Sequence, residues 1–140
     1  MRSRKLLPPP TARRVSFADI KREGEMAKTY KLLVLTNAVE GKDRQFNDWY
    51  NSRHLQDVLA VPGFVSAQRF ELISEVVAKP VPYRYCATYD LETDNPQTVI
   101  EEMLRRVGTD RMPMSDAMDI SSSYAVLYEP ITPLAIATRL

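Results

Sequence analysis

The chain has 140 residues, 44% of them hydrophobic, and a formal net charge of +1, which is the composition of one globular domain. A near-neutral chain lacks the basic surface that nucleic-acid binding requires, and no hydrophobic run is long enough to cross a membrane. Its one cysteine, Cys86, excludes an internal disulfide, and with one histidine it leaves too few ligands for a His/Cys metal site. We therefore expect a cytoplasmic protein without a metal, a nucleic-acid partner or a membrane partner.

The first 25 residues differ from the remainder in charge, with seven Lys/Arg against three Asp/Glu. They are rich in arginine and proline and show no apolar period, so residues 1–27 are predicted to form an extended or disordered tail. Two interpretations of this tail stay open. Its arginine content resembles an organelle-targeting segment. Alternatively, purine-only codons for residues 21–25 would serve as a bacterial ribosome-binding site, and Met26 would then be the natural start.

The central region begins with an apolar strand. Residues 30–37 contain Leu32-Leu33-Val34-Leu35, and four consecutive apolar residues predict a strand that is covered on both faces. A helix is predicted to follow, capped by Asp43 and running to about Leu59. Pro62-Gly63 then turns the chain.

The second half of the region is predicted to contain two strands, a helix and a fourth strand. Residues 64–72 and 83–91 alternate as two strands, and a helix capped by Asp94 or Asn95 follows them. Gly108 suits the end of that helix, residues 112–119 form a methionine-rich loop, and residues 122–128 form a fourth strand.

The predicted order is β-α-β-β-α-β, which is the order of a ferredoxin-like α+β plait. We expect residues 28–130 to form a four-stranded antiparallel sheet with two helices on one face, followed by a C-terminal tail, residues 131–140. The other face of the sheet would be apolar and uncovered, which is a liability for a monomer. Stacking of the sheets of two copies would cover it, so the sequence predicts a homodimer.

The one histidine lies on the apolar face of the first predicted helix. Tyr50, His54 and Val58 recur every four residues, so His54 is predicted to point towards the sheet. Asp57 is close enough to accept a hydrogen bond from one ring nitrogen and so fix the tautomer. Two interpretations stay open: a catalytic histidine, and a hydrogen-bonded histidine of the core.

Two strand residues complete the candidate site. Arg69 has apolar neighbours and would either hold an anionic group of a substrate or pair with Glu71 or Asp90. Tyr85 belongs to a row of strand tyrosines that would form core or interface, or bring a hydroxyl into a pocket. The methionines of residues 112–119 would line a ligand wall or fill gaps.

One stretch resembles a known family. The segment Phe46-Asn47-Asp48-Trp49-Tyr50-Asn51-Ser52-Arg53-His54, followed by Val61-Pro62-Gly63-Phe64, resembles the EthD-like branch of the dimeric α/β-barrel superfamily. The resemblance covers about residues 28–130 and implies a pocket that contains Trp49, Tyr50 and His54, with Phe46 beside them. It departs from the family at Leu55-Gln56, where many EthD-like chains have proline, and this departure falls at the rim of the pocket.

The resemblance implies activity on small molecules. The superfamily includes cofactor-free cyclases, dehydratases, isomerases, decarboxylases and quinone-forming monooxygenases, and some members bind haem. The leading prediction is a cofactor-independent enzyme of the lyase, isomerase, cyclase or dehydratase type, acting on an apolar or aromatic carbonyl compound. His54 would be the acid/base, Asp57 would orient it, and Tyr50 would stabilise the oxyanion. The alternatives are a non-catalytic ligand-binding or accessory protein, and haem binding or degradation with His54 as axial ligand.

Overall fold

The computed structural model describes residues 28–77, 80 and 82–139. The predicted tail, residues 1–27, and the proposed start at Met26 lie outside these residues. The described part contains four strands: β1 (Lys28–Thr36), β2 (Phe64–Glu71), β3 (Tyr85–Thr93) and β4 (Tyr124–Tyr128). Its helical segments are α1 (Asp43–Trp49), a π-helical segment (Tyr50–His54), α2 (Leu55–Leu59), α3 (Pro96–Arg106) and a short 3₁₀ turn (Ile120–Ser122).

The strands form one antiparallel sheet in the order β2-β3-β1-β4. The β1 strand lies between β3 and β4 at the centre of the sheet. Its run of four apolar residues is covered by helices on one face only, since Leu32 is buried whereas Leu33 and Leu35, on the other face, are half-buried. The predicted four-stranded ferredoxin-like α+β fold is therefore confirmed. The third and fourth strands each begin two residues later than predicted, at Tyr85 and Tyr124.

The helices pack on one face of the sheet. On β3 the side chains of Tyr85, Ala87, Tyr89 and Leu91 alternate towards the helices, and all four are buried. The turn before β2 brings α3 close, because a Cβ on Gly63 would lie 2.6 Å from Val99 Cγ2, and its φ of +108° also favours glycine. This layer of helices over sheet forms the core and contains the histidine.

Two helix starts were predicted, and one prediction was wrong. Asn95 is the N-cap of α3, where its side-chain oxygen accepts a hydrogen bond from Thr98 N (3.4 Å). Asp43 is the first residue of α1 and not its cap, which is Lys42. The Asp43 carboxylate is engaged elsewhere, since it accepts hydrogen bonds from Tyr85 Oη (2.7 Å) and Arg84 Nη1 (3.1 Å).

The other face of the sheet carries apolar side chains that no helix covers. The register places one set of residues on this open face: Leu33, Leu35, Phe70, Cys86, Tyr124, Val126 and Tyr128. Leu33 and Leu35 are only half-buried, and about half of the surface of Phe70 and Tyr124 is exposed. The homodimer predicted from this face stays a prediction. None of the described helices is long and apolar enough to span a bilayer.

Candidate functional site

The helical region that carries the histidine contains a widened turn. Residues Tyr50–His54 form a π-helix, and the Leu55 N–H donates to the Tyr50 carbonyl five residues back. The Ser52 hydroxyl donates to the Asp48 carbonyl oxygen (2.6 Å). Single π turns are rare and occur often at functional sites, because the additional residue changes the direction of the side chains around it.

The imidazole of His54 is held between two aromatic rings. It stacks on Trp49, with ring centroids 4.5 Å apart and planes 25° apart, and it meets Tyr50 edge to face at 4.8 Å. Trp49 is fixed in turn by a hydrogen bond from its Nε1 to the Pro113 carbonyl (3.2 Å). His54 is only 8% exposed, so the predicted inward orientation is what the structure shows.

A cavity of about 220 Å³ lies beside His54, between the helices and the β1–β4 side of the sheet. Its wall is largely apolar. Four methionines, Met103, Met112, Met114 and Met118, contribute to this wall, three of them from the methionine-rich loop. The loop methionines therefore line a cavity, which was one of the two predicted roles. Such a wall favours an apolar ligand.

Two tyrosine hydroxyls supply polar groups at the cavity. Tyr50 Oη and Tyr89 Oη are 2.8 Å apart and hydrogen-bonded, and both residues line the cavity. Because one hydroxyl donates to the other, one O–H remains to donate elsewhere. Burial raises the pKa of both groups, so both are protonated at neutral pH. The sequence prediction selected Tyr85 from the row of strand tyrosines, whereas Tyr89 is the one at the cavity. Tyr89 pairs with Leu32 of β1, and Leu32 also lines the cavity. This register distinguishes Tyr89 from Tyr85.

Desolvation keeps His54 neutral. Burial is the main cause that lowers its pKa from 6.5 to about 4; Asp57 opposes this effect and the Arg69 charge adds to it. His54 Nδ1 is buried and has no hydrogen-bond partner among the described residues. The predicted hydrogen bond from a ring nitrogen of His54 to Asp57 is not formed. Asp57 Oδ2 instead accepts a hydrogen bond from Arg53 Nε (2.8 Å), its neighbour one helical turn earlier.

Arg69 lies behind the Tyr50 ring. Its Cζ is 4.3 Å from the centroid of that ring, and Nη1 donates to Asn51 Oδ1 (2.7 Å). Neither predicted ion pair is formed, because Glu71 pairs with Arg84 and Asp90 pairs with Lys31. The remaining donors of Arg69, Nε and Nη2, are buried without a hydrogen-bond partner in the described part of the chain.

The predicted site residues therefore do not all lie at the cavity. His54 and Tyr50 line the cavity, and Trp49 supports the imidazole from outside the cavity lining. Phe46 is fully buried in the core. Arg69 and Tyr85 line a separate open groove of about 370 Å³. They do not line the cavity because the Tyr50 ring, on which Arg69 packs, fills the space between.

The site does not fit the metal or the haem considered above. Among the described residues, no group of His, Cys, Asp and Glu side chains could hold a metal ion. The cavity of about 220 Å³ is below the range of about 300–1,000 Å³ that holds drug-sized ligands, and a haem is larger than these.

No family model and no curated protein matches the sequence. Several solved structures are similar. A protein described as a "putative monooxygenase" from Shewanella loihica PV-4 has a TM-score of 0.53 and 15% identity, over 77% of this chain and 99% of that one. An ethyl tert-butyl ether D (EthD) family protein from Bacillus halodurans C-125 has a TM-score of 0.48 and 17% identity, over 74% and 99%. A NIPSNAP family protein with unknown function from Agrobacterium tumefaciens C58 has 0.47 and 11%, over 77% and 94%. The likeness to the first shows a shared fold, and the resemblance predicted from the motif is confirmed at that level.

Proposed function

We propose that the cavity binds a small apolar or aromatic carbonyl compound and that His54 takes a proton from it without a cofactor. One observation carries this proposal: a neutral, buried histidine with an unpartnered ring nitrogen lies in the wall of an apolar cavity, beside two tyrosine hydroxyls. The volume, about seven times that of a water molecule in the liquid, suits a compound with a single ring.

The chemistry would begin at a carbon next to the carbonyl group. The C–H bond breaks, the proton passes to an imidazole nitrogen, and the electron pair moves onto the carbonyl oxygen. The free hydroxyl of the Tyr50–Tyr89 pair would donate a hydrogen bond to that oxygen as its negative charge develops. Where a C=C bond is conjugated with the enolate, return of the proton from the imidazolium to the far carbon of that bond gives isomerisation. Where the neighbouring carbon carries a hydroxyl group, the electron pair of the enolate forms a C=C bond, the C–O bond breaks and the imidazolium gives its proton to the leaving oxygen, so that water is released.

The pKa of His54 limits the substrate. At a pKa of about 4 the imidazole is always unprotonated at neutral pH, but it is a weak base. It therefore suits a C–H group that is already acidic, such as one between two carbonyl groups or next to both a carbonyl and an aromatic ring. Simple ketones would be poor substrates.

A non-catalytic binding or accessory protein is the second candidate. The missing Asp57–His54 hydrogen bond favours it, because a catalytic histidine is usually oriented by a second group. In this role His54 and the tyrosine hydroxyls would only anchor the ligand.

Deuterium exchange separates the two candidates. The protein would be incubated in D₂O with 2-acetylcyclohexanone, a single-ring 1,3-dicarbonyl compound, and with cyclohexanone as the unactivated control. Proton NMR would measure both binding and loss of the α-proton. Protein-dependent exchange that His54→Ala abolishes supports catalysis, and binding without exchange supports the second candidate. If no apolar carbonyl compound of this size binds, both are wrong.

We also infer that the working unit is a homodimer joined through the open face of the sheet. The support for this inference is the group of apolar side chains on the open face of β1, β2, β3 and β4. In a single copy of the chain these side chains are exposed to water. The cavity lies on the opposite side of the sheet, so both sites of such a dimer remain accessible.

A further inference from the structure

Arg69 is a half-buried cation whose side chain has two buried donors without a partner among the described residues. In the described part of the chain no carboxylate pairs with it, and the nearest candidates, Glu71 and Asp90, are bound to Arg84 and Lys31. Its Nε and Nη2 are out of contact with solvent and without an acceptor. These two donors form the side of the guanidinium that usually holds a carboxylate. A cation in this state is costly unless something else uses its charge.

The Tyr50 ring connects this cation to the cavity. Arg69 Cζ lies 4.3 Å from the ring centroid, while the Tyr50 hydroxyl lies at the cavity and bonds to Tyr89. Arg69 itself is not part of the cavity lining. Its charge therefore acts on the hydroxyl pair from behind, without contacting a ligand.

We propose that Arg69 makes the cavity selective for a ligand with an ionised oxygen, a phenolate or an enolate, placed at the Tyr50–Tyr89 hydroxyl pair. This deepens the proposed function and depends on it only in placing the ligand in this cavity. At a separation of several ångströms and an effective dielectric constant of about 20, a unit charge changes the ratio of ionised to neutral ligand by roughly tenfold or more.

The other charged groups near the pair do not cancel this effect. Arg69 lowers the pKa of both tyrosines, although burial outweighs it in each. Asp57 faces His54, but it is paired with Arg53. Cys86 acts on Tyr50 and is itself neutral at physiological pH, because burial raises the pKa of its thiol. Arg69 is thus the charge that favours an ionised oxygen at the hydroxyl pair, and burial opposes it.

The ionisation of a bound dye tests the proposal. The probe is 4-nitrophenol, which has one ring and whose absorbance distinguishes phenol from phenolate. Nitrobenzene is the neutral control ligand. Titration of the bound probe would be compared in the wild type, Arg69→Met, Arg69→Lys and Arg44→Met. Arg44 is an exposed arginine on α1, so its replacement removes the same charge far from the cavity.

We expect the wild-type protein to bind the phenolate more tightly than the phenol. Arg69→Met should reduce that preference by roughly tenfold, Arg69→Lys should retain most of it, and Arg44→Met should leave it unchanged. Nitrobenzene affinity should be equal in all four, and a purely structural role for Arg69 would instead lower it together with the melting temperature. If Arg69→Met does not fold, the wild type and Arg69→Lys still decide, because a preference for neutral phenol in both overturns the proposal. Equal affinity for the two forms also overturns it and leaves the proposed function intact. Failure to bind 4-nitrophenol in either form overturns it too, whereas the proposed function is overturned only if 2-acetylcyclohexanone also fails to bind.

Discussion

The imidazole of His54 is neutral because of where two aromatic rings hold it. Trp49 and Tyr50 exclude water from the ring, and Nδ1 finds no acceptor among the described residues that would stabilise a second proton. A neutral imidazole can accept a proton or a hydrogen bond from a ligand, but it carries no positive charge between turnovers. The residue therefore contributes basicity only when a ligand is present.

Replacement of His54 separates a catalytic role from a structural one. If His54 is the base, His54→Ala and His54→Gln should both lower exchange of the dicarbonyl substrate by roughly 10²–10⁴-fold, because neither side chain takes a proton at neutral pH. If it is only a core residue, Ala should cost about 1–3 kcal/mol of unfolding free energy, and Gln should restore much of it.

Melting temperature and exchange rate should be measured on both variants. Loss of exchange at unchanged stability supports catalysis. Loss of both in step, with recovery in His54→Gln, would contradict it. Met114→Leu is a suitable control, since it changes the same cavity wall at similar volume.

The low pKa of His54 also predicts a pH dependence of stability. The folded pKa is about 4 and the unfolded value is 6.5, so between these pH values the unfolded chain binds more protons. Stability is therefore fully present above about pH 6.5 and is lost as the pH falls towards 4, by on the order of 3 kcal/mol from this residue.

Urea unfolding of the wild type and of His54→Gln across this range would check the effect. As the pH falls, the wild type should lose stability relative to His54→Gln, and curves that stay parallel would contradict the assignment. Because His54 is the only histidine, its NMR titration in the folded protein is unambiguous.

The site was predictable from the sequence only where spacing determines it. The four-residue recurrence of Tyr50, His54 and Val58 placed the histidine inward, and the structure agrees. The partners of Asp57 and Arg69 were not predictable in this way, because several oppositely charged or polar groups lie within reach of each. The final choice depends on side-chain packing. Tyr89 was passed over for Tyr85 because alternation assigns a face of the strand and not a position along it.

At the scale of elements, the π-helical segment is the feature that could not be predicted from the sequence. Residues Tyr50–His54 have no helix-breaking residue, and their spacing fits an α-helix equally well. The turn is widened by tertiary packing: Trp49 is bonded to the Pro113 carbonyl and His54 stacks on it. The helices and strands themselves were predictable, since each has an apolar period or, in β1, a continuous apolar run.

Deletion of Ser52 tests the function of this turn. A π turn holds one residue more than an α turn, so the deletion should restore a continuous α-helix and leave Phe46 and Val58 in the core. The protein should fold with a similar melting temperature, but 4-nitrophenol should bind about tenfold more weakly, because the direction of the imidazole relative to the Tyr50 ring changes.

Ser52→Ala is the matched control, since it removes only the hydroxyl bond to the Asp48 carbonyl and keeps the residue count. Its binding should remain near that of the wild type. Retained binding in the deletion variant would show that the widened turn is not needed for the site.

At the scale of the whole molecule, the two faces of the sheet have different roles. The helix-covered face contains the core and the cavity, and the open face exposes apolar side chains of all four strands. A two-fold partner would bury these side chains, of which Tyr124 also lines the cavity.

Leu33 lies at the centre of the open face, on the central strand β1. The wild-type chain should be dimeric by light scattering at micromolar concentration. Leu33→Glu should be monomeric, because it brings like charges together in an apolar interface. Ile120→Glu, at an exposed position outside the sheet, should remain dimeric. A monomeric wild-type protein would contradict the inference.

The four methionines around the cavity affect how the site distinguishes one ligand from another. A thioether side chain is unbranched and polarisable, and it adapts its shape by rotating about several bonds. A cavity wall built from methionines therefore adjusts to the shape of the bound ligand. Compounds that differ by a methyl substituent should therefore bind with similar strength, whereas compounds that differ in proton affinity at one oxygen should not. A library of candidate ligands for this protein should therefore contain compounds of the same size that differ in the acidity of one oxygen.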